Sequence, residues 1–302
     1  MAETTEPGPF PAPRVVVAGD VIDDIVVVPA APIRPDTDTV STIRMLPGGS
    51  AANTAAWLGA TGVAVDFVGT VGAPDVDRHS AQLAAHGVRA HLTPHPELPT
   101  GTIVILVDGE QRAMLTERGA NADFDPDAVT DSVLAGASAL FLTGHSLAGR
   151  TEPRALRALV SRARLLDLEV AVSPGSAGHL ADVGVDTFLT AFEGATILFA
   201  NLEEGRAITG ERDPDAVIER LATHAETVVL TLGRDGALVR SPLGSGSIAP
   251  EPATVVDPTG AGDAFAAGFL GAFLRSRDAL SALQAASVLA AHAVAHPGAR
   301  PQ

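Results

Sequence analysis

Short runs of β-branched residues alternate with longer Ala/Leu-rich stretches along most of the chain. Val15–Ala18, Val63–Gly69, Ala139–Leu142, Val170–Val172, Ile197–Ala200 and Val228–Thr231 predict strands. Ser50–Leu58, Asp75–Ala85, Arg154–Leu166, Leu202–Ile208, Asp215–Ala222, Gly262–Leu274 and Ala279–Ala295 predict helices. This alternation is expected of an α/β protein with a largely parallel sheet. Two segments break the rhythm: Asp24–Met45 and Val88–Glu117 carry β-type runs (Ile25–Val28, Thr39–Arg44, Gly101–Val107, Arg112–Thr116) with no helix between them. Asp108–Gly109, flanked by apolar residues, is a hairpin signal. Such pieces can pair as a small sheet projecting from the core, a natural lid over a cleft. The pattern therefore divides the chain into a disordered leader at 1–13, a core at 14–23, 46–87 and 118–302, and a β lid at 24–45 and 88–117.

Composition narrows the chemistry. The 302 residues are 46% hydrophobic, enough for a large core. The net charge is −16, and all 20 basic residues are Arg. With no Lys there is no Schiff-base chemistry and no P-loop lysine. With no Cys there is no thiol catalysis, disulfide or thiolate metal site. Scattered Arg on an acidic chain argues against nucleic acid or an anionic membrane as partner. The leader carries Glu3 and Glu6 and is broken by Pro, unlike a signal peptide, and the apolar stretch Ala264–Leu274 is too short to span a bilayer. A cytoplasmic location is expected.

Two stretches carry the candidate chemistry. In Val255–Phe269 a strand-like approach ends at Asp257, Pro258 and Thr259 turn the chain, and Gly260-Ala261-Gly262 opens a helix. Small residues at a helix entrance expose backbone N–H groups to an anion, and the helix dipole adds positive potential. Asp263 in the first turn is placed to take a proton from a hydroxyl attacking a phosphoryl group held there; an isolated GAGD also reads as a Gly-rich turn with an ordinary capping Asp. In Leu46–Gly62, Gly48 and Gly49 permit close backbone approach and Asn53 falls in the first turn of the next helix.

Together, in this order, the two stretches resemble the signatures of the ribokinase or PfkB family of carbohydrate and nucleoside kinases, and the resemblance extends from Val15 to Pro301. It implies a Rossmann-like mostly parallel sheet flanked by helices, with a small β-sheet lid. Gly19–Asp24 is similar to the family's first-strand motif, which puts an acceptor-binding carboxylate on Asp24. Arg118–Phe124 resembles its GAN element. Asn201–Glu204 is similar to its NxxE motif, implying Mg²⁺ held through water by Glu204, with Asn201 on the nucleotide side. Thr231–Ala237 resembles the nucleotide loop, with Thr231, Gly233 and Gly236 against ATP, and Ser287 falls where relatives contact adenine. Asp257, Thr259 and the Gly298 region match a monovalent-cation (K⁺) site whose final ligand is expected near Gln302. The resemblance implies Gly260, Ala261, Gly262 and Asp263 as catalytic, and Asp24, Gly48, Gly49 and Asn53 around the acceptor.

The departures also bear on function. Ser50 stands where some sugar kinases have Lys, and His145 stands at the acceptor side where ribokinase-like chains have Glu, which turns attention from ribose itself. Absent Tyr and 4% aromatic content favour a sugar over a nucleoside. Arg112 or Arg118 beside the lid is expected to help neutralise phosphate, and lid strands suggest a homodimer. Two other readings compete. Gly144–Gly149 is close to a hydrolase nucleophile elbow at Ser146, with His224, His292 or His296 as a later base. A catalytically silent sugar or nucleotide sensor would share the fold. The expectation is an ATP- and Mg²⁺-dependent kinase acting on a primary hydroxyl of a small sugar or sugar derivative, with a nucleoside kinase as the alternative.

Overall fold

A computed structural model describes residues 12–108 and 111–302. The leader lies almost wholly outside these residues, and so does Gly109 of the expected hairpin turn. Thirteen strands are seen among the described residues: β1 Arg14–Ala18, β2 Ile22–Pro29, β3 Ser41–Gly48, β4 Ala64–Gly72, β5 Val88–His95, β6 Gly101–Asp108, β7 Gln111–Glu117, β8 Ala139–Thr143, β9 Glu169–Ser173, β10 Ile197–Asn201, β11 Thr227–Thr231, β12 Ala237–Arg240 and β13 Gly246–Ile248. The helices are α1 Ser50–Ala60, α2 Val76–Ala84, α3 Asp131–Leu134, α4 Pro153–Leu165, α5 Ala177–Val183, α6 Val185–Ala191, α7 Leu202–Thr209, α8 Pro214–Leu221, α9 Ala261–Ser276 and α10 Ala279–Val294.

Nine strands form one sheet in the order β13-β12-β11-β10-β9-β8-β1-β4-β5, parallel from β11 to β5 and antiparallel at β12 and β13. Strand side chains alternate between the two faces. Val15 and Val17 of β1, with Ala139 and Phe141 of β8, join a core layer shared with α1, α2, α9 and α10. Val16 and Ala18, with Leu140 and Leu142, join the opposite layer under α4, α5, α6 and α8. Burial on both faces explains why these strands read as continuous apolar runs.

The small sheet is β3-β2-β6-β7. Two antiparallel hairpins, β2/β3 and β6/β7, are joined by the parallel pair β2/β6, with Asp108 opposite Gln111 across the second hairpin. Here the sequence reading needs correction, because only Gly101–Glu117 of the 88–117 segment belongs to this sheet. Val88–His95 runs parallel to β4 at the edge of the large sheet, after the crossover through α2. Alternation gives the reason: Val88, Ala90 and Leu92 pack on the core, while Arg89 and His91 turn to the other face and bond to Asp66. The small sheet also starts earlier, at Ile22 rather than Asp24. The short helices α5 and α6 and the strands β12 and β13 were not anticipated. No helix among the described residues is long and apolar enough to cross a membrane.

Candidate active site

The site gathers where α1 and α9 begin. The α1 entrance has Gly49 at its N-cap, with φ +91 and no side chain to cap the helix. Asp20, in the turn between β1 and β2, does this from outside: its carboxylate accepts the N–H groups of Ser50 (2.8 Å) and Ala51 (3.1 Å) and the Thr143 hydroxyl (3.2 Å). Asp24 on β2 lies under Gly48, where a methyl group would fall on its carboxyl, so Gly48 is needed for space. The α9 entrance is built on Gly260 in the left-handed region at φ +78. A Cβ at Gly260 would stand 2.6 Å from the Ala299 carbonyl oxygen, whereas one at Gly262 would meet open space.

Asp263 lies between the two helices. Its carboxylate accepts the Ser50 hydroxyl at 2.7 Å and the Asn53 amide at 3.0 Å. Burial of the carboxyl pushes its pKa up to about 7, against the lowering effect of those two donors. The same cause moves Asp24 to about 7, with Arg300 pulling it down and Asp20 and Asp23 pushing it up. A cavity of about 300 Å³ opens here, bordered by Ser50, Asn201, Glu204, Thr231 and Gly260–Asp263. Asn201 and Glu204 form a reciprocal capping box on α7, each backbone N–H bonded at 2.9 Å to the other's side chain. Burial raises Glu204 to about 7 although these bonds oppose it.

Other expected residues take different places. Gly233 and Gly236 form the turn after Thr231. Ser287 is buried in α10, and its hydroxyl accepts the Glu251 N–H at 3.0 Å rather than bordering the cavity. His145 is half-buried beside His179, ring centroids 4.9 Å apart, and desolvation lowers its pKa. Asp257 accepts Thr259 N–H (2.9 Å), the Thr259 hydroxyl (2.7 Å), Gly298 N–H (3.0 Å) and Arg112 (3.0 Å). Burial pushes Asp257 up, but these donors outweigh it and hold the carboxyl below its usual range. Arg112 of β7 also donates to the Thr259 hydroxyl at 2.6 Å, tying the small sheet to the turn before α9. Asp23 is paired with Arg78 at 2.6 Å. Asn121 grips Val21 through both its N–H and its carbonyl oxygen.

The hydrolase reading finds no support: the Ser146 hydroxyl is buried and bonded to no base. His292 and His296 pack against each other with their rings tilted by 47°, His292 packs edge-on against Trp57, and no cluster of three metal-ligating side chains occurs among the described residues. A larger hollow of about 510 Å³ lies at the opposite edge of the sheet, where Ala195 and Ala225 precede β10 and β11, away from these carboxylates.

The sequence reading missed Arg300, which donates to the Asn53 oxygen at 3.1 Å and to the Gly48 carbonyl at 2.8 Å. Buried Trp57 donates to the carbonyl of neighbouring Ala299. No local signal marks Arg300, since Gly298-Ala299-Arg300-Pro301 reads as a surface tail. Asp20 had a signal, the lack of a capping side chain at Gly49.

A large, mostly parallel sheet flanked by helices with a smaller four-stranded sheet beside it is the architecture of the ribokinase-like fold class. The chain matches the pfkB family carbohydrate kinases over residues 12–302 and belongs to that family. It is therefore a phosphotransferase with an alcohol group as acceptor. It is 29% identical over 296 residues to the ATP-dependent ribose-1-phosphate kinase of Halopiger xanaduensis, covering 95% of this chain and 94% of that one. Among solved structures it is similar to adenosine kinase from Sinorhizobium meliloti (TM-score 0.85, 24% identity, 96% of each chain). It is also similar to an E. coli chain named ribokinase II in complex with ATP and Mg²⁺ (TM-score 0.83, 21% identity, 95% of this chain and 94% of that one).

Proposed function

We propose that the protein transfers the γ-phosphate of ATP to a primary hydroxyl of a small sugar or sugar derivative, with Asp263 as the general base. The carrying observation is the placement of the Asp263 carboxylate, which borders the cavity at the α9 entrance and is held by Ser50 and Asn53 of α1. A base so placed reaches both an anion at the helix entrance and an acceptor lying along α1. The phosphate chain lies over Gly260–Gly262, where backbone amides and the helix dipole replace the absent lysine. Asp24 and the Asn53 amide hold acceptor hydroxyls, Gly48 and Gly49 admit them closely, and the small sheet covers the cleft. The acceptor hydroxyl gives its proton to Asp263 as its oxygen bonds to the γ-phosphorus, and the bond to ADP breaks in line.

Glu204 fits a hard divalent cation: it is a carboxylate bordering the phosphate cavity, with its backbone fixed by the capping box. Mg²⁺ held there through Glu204 would supply positive charge against the phosphates. At Asp257 the donor set differs, because the carboxylate is already taken by Thr259, Gly298 and the Arg112 guanidinium. That arrangement suits a cationic side chain, and the mechanism draws on no monovalent cation.

The placement of aromatic side chains favours a sugar over a nucleoside. Every described Phe and Trp57 is buried, and only Phe199 and Phe265 border the cavity, which leaves little to sandwich a base. An ADP-release assay across ribose, ribose 1-phosphate, fructose, 2-keto-3-deoxygluconate, adenosine, inosine and pseudouridine tests this. Turnover with a sugar and none with nucleosides is expected. Turnover confined to adenosine or inosine would replace the sugar reading, and tight ligand binding with no turnover on any acceptor would reject the kinase reading.

A further inference from the structure

Arg300 is the buried cation of a site crowded with carboxylates. Its residue surface is only 6% exposed, and Asp24, Asp20, Asp23 and Asp263 all act on its charge. No carboxylate among the described residues forms an ion pair with it within 4.0 Å. Its contacts are instead two neutral oxygens, Asn53 Oδ1 from Nε and the Gly48 carbonyl from Nη2, while Nη1 is buried without a partner. An unpaired buried N–H is costly, and such groups are retained where a site needs them.

The chemistry of the pair fixes its direction. A guanidinium only donates, so the Asn53 oxygen must face Arg300. The Asn53 amino group must then face away, and it is found 3.0 Å from Asp263. One of its hydrogens serves the Asp263 carboxylate and leaves the other for a ligand. The backbone on which Arg300 rides is itself fixed from the phosphate side, by Trp57 on the Ala299 carbonyl and by the close approach of Gly260 to Ala299.

We propose that Arg300 is a positioning residue for the acceptor: its guanidinium locks the Asn53 amide so that this side chain presents only N–H donors to Asp263 and to an oxygen of the acceptor. The inference rests on the reading of Asp263 as base and Asn53 as acceptor-binding. It adds that the acceptor places a hydroxyl or ether oxygen, not an N–H group, against Asn53.

The test is a double-mutant cycle between Arg300→Lys and Asn53→Ala, with the acceptor found by the ADP-release screen. Lys keeps the charge but lacks the N–H that reaches Asn53. Arg300→Lys alone is expected to lower kcat/KM for the acceptor about 10- to 100-fold, the worth of a hydrogen bond to a charged group. The KM for ATP should stay unchanged. In the Asn53→Ala background the same replacement is expected to have almost no further effect, because Arg300 acts through Asn53. Full additivity, or wild-type kinetics in Arg300→Lys, would overturn the proposal while leaving the kinase reading intact. A second readout needs no turnover: the side-chain amide ¹⁵N–¹H signals of Asn53 in the unliganded protein, assigned through Asn53→Ala. They should shift and exchange faster with water in Arg300→Lys, and unchanged signals would reject the lock even if no acceptor were turned over.

Discussion

Replacing Asp263 by Asn removes the proposed base while keeping its shape, and the surroundings are suited to the swap. The Asp263 carboxylate accepts from the Ser50 hydroxyl on one oxygen and the Asn53 amide on the other. An asparagine can keep its oxygen toward the Asn53 amino group and turn its own amino group to Ser50, whose hydroxyl can rotate to accept. The structural penalty is then at most about 1 kcal/mol, the net worth of one ordinary hydrogen bond. The catalytic penalty is much larger, since a positioned general base contributes about 10²- to 10⁴-fold, or roughly 3–5 kcal/mol of barrier. Coupled ADP-release kinetics from pH 5.5 to 9 should show kcat reduced by that factor, with ATP affinity by calorimetry close to wild type and a melting temperature no lower than wild type, since the neutral amide removes a buried charge above pH 7. Because the Asp263 carboxyl is pushed up to about 7, wild-type turnover should rise with pH through neutrality as the base loses its proton. An Asp263→Asn protein that folds, binds ATP and keeps more than a tenth of wild-type kcat would refute the assignment.

Three further outcomes are expected. Glu204→Gln should stabilise the unliganded protein at pH 8 but not at pH 4. Burial raises the Glu204 pKa from 4.5 to about 7, so the stability it allows is complete below 4.5 and falls as pH rises through 7, by up to about 3 kcal/mol; a melting-temperature difference that does not grow with pH would contradict this. Gly260→Ala should cost about 1–3 kcal/mol more than Gly210→Ala in denaturant titrations. Both glycines have φ near +75 to +78, but only Gly260 has Ala299 against it. Asp66→Asn should destabilise at pH 7 by about 1–3 kcal/mol without changing kcat, because Arg14, Arg89 and His91 converge on this buried carboxylate far from the cavity. Burial raises its pKa, but those donors outweigh it and hold it below the usual range, so the difference should vanish as pH falls below 3.8 in thermal melts.

What was legible in the sequence depended on how local the information was. Gly260–Asp263 and Asn201–Glu204 each form a helix entrance from consecutive residues, and periodicity placed β1, β8 and α9 because each buries an unbroken apolar pattern. Val88–His95 carried the right alternation, but without a following helix it looked like part of the inserted sheet. Arg300 acts entirely through residues far away in the chain, and its own neighbourhood carries no trace of it, whereas the role of Asp20 is signalled by the missing cap at Gly49. Helices α5 and α6 are about two turns each and are separated by Gly184, too brief for a periodic signal.

The contacts that assemble the site join residues 213, 210 and 247 positions apart, whereas most strands of the large sheet pair with partners supplied by the adjacent crossover. During synthesis the β8 to β11 units can therefore form as they leave the ribosome, while Ser50 and Asn53 wait exposed for partners that are made much later. A nascent chain halted near residue 255 would hold the strands of the large sheet but neither Asp263, the proposed base, nor Arg300, the guanidinium proposed to order the acceptor side. Closing such long loops late is slow and leaves α1 open to wrong partners in the interval. On the proposed assignment, catalytic competence therefore comes last, after the scaffold exists.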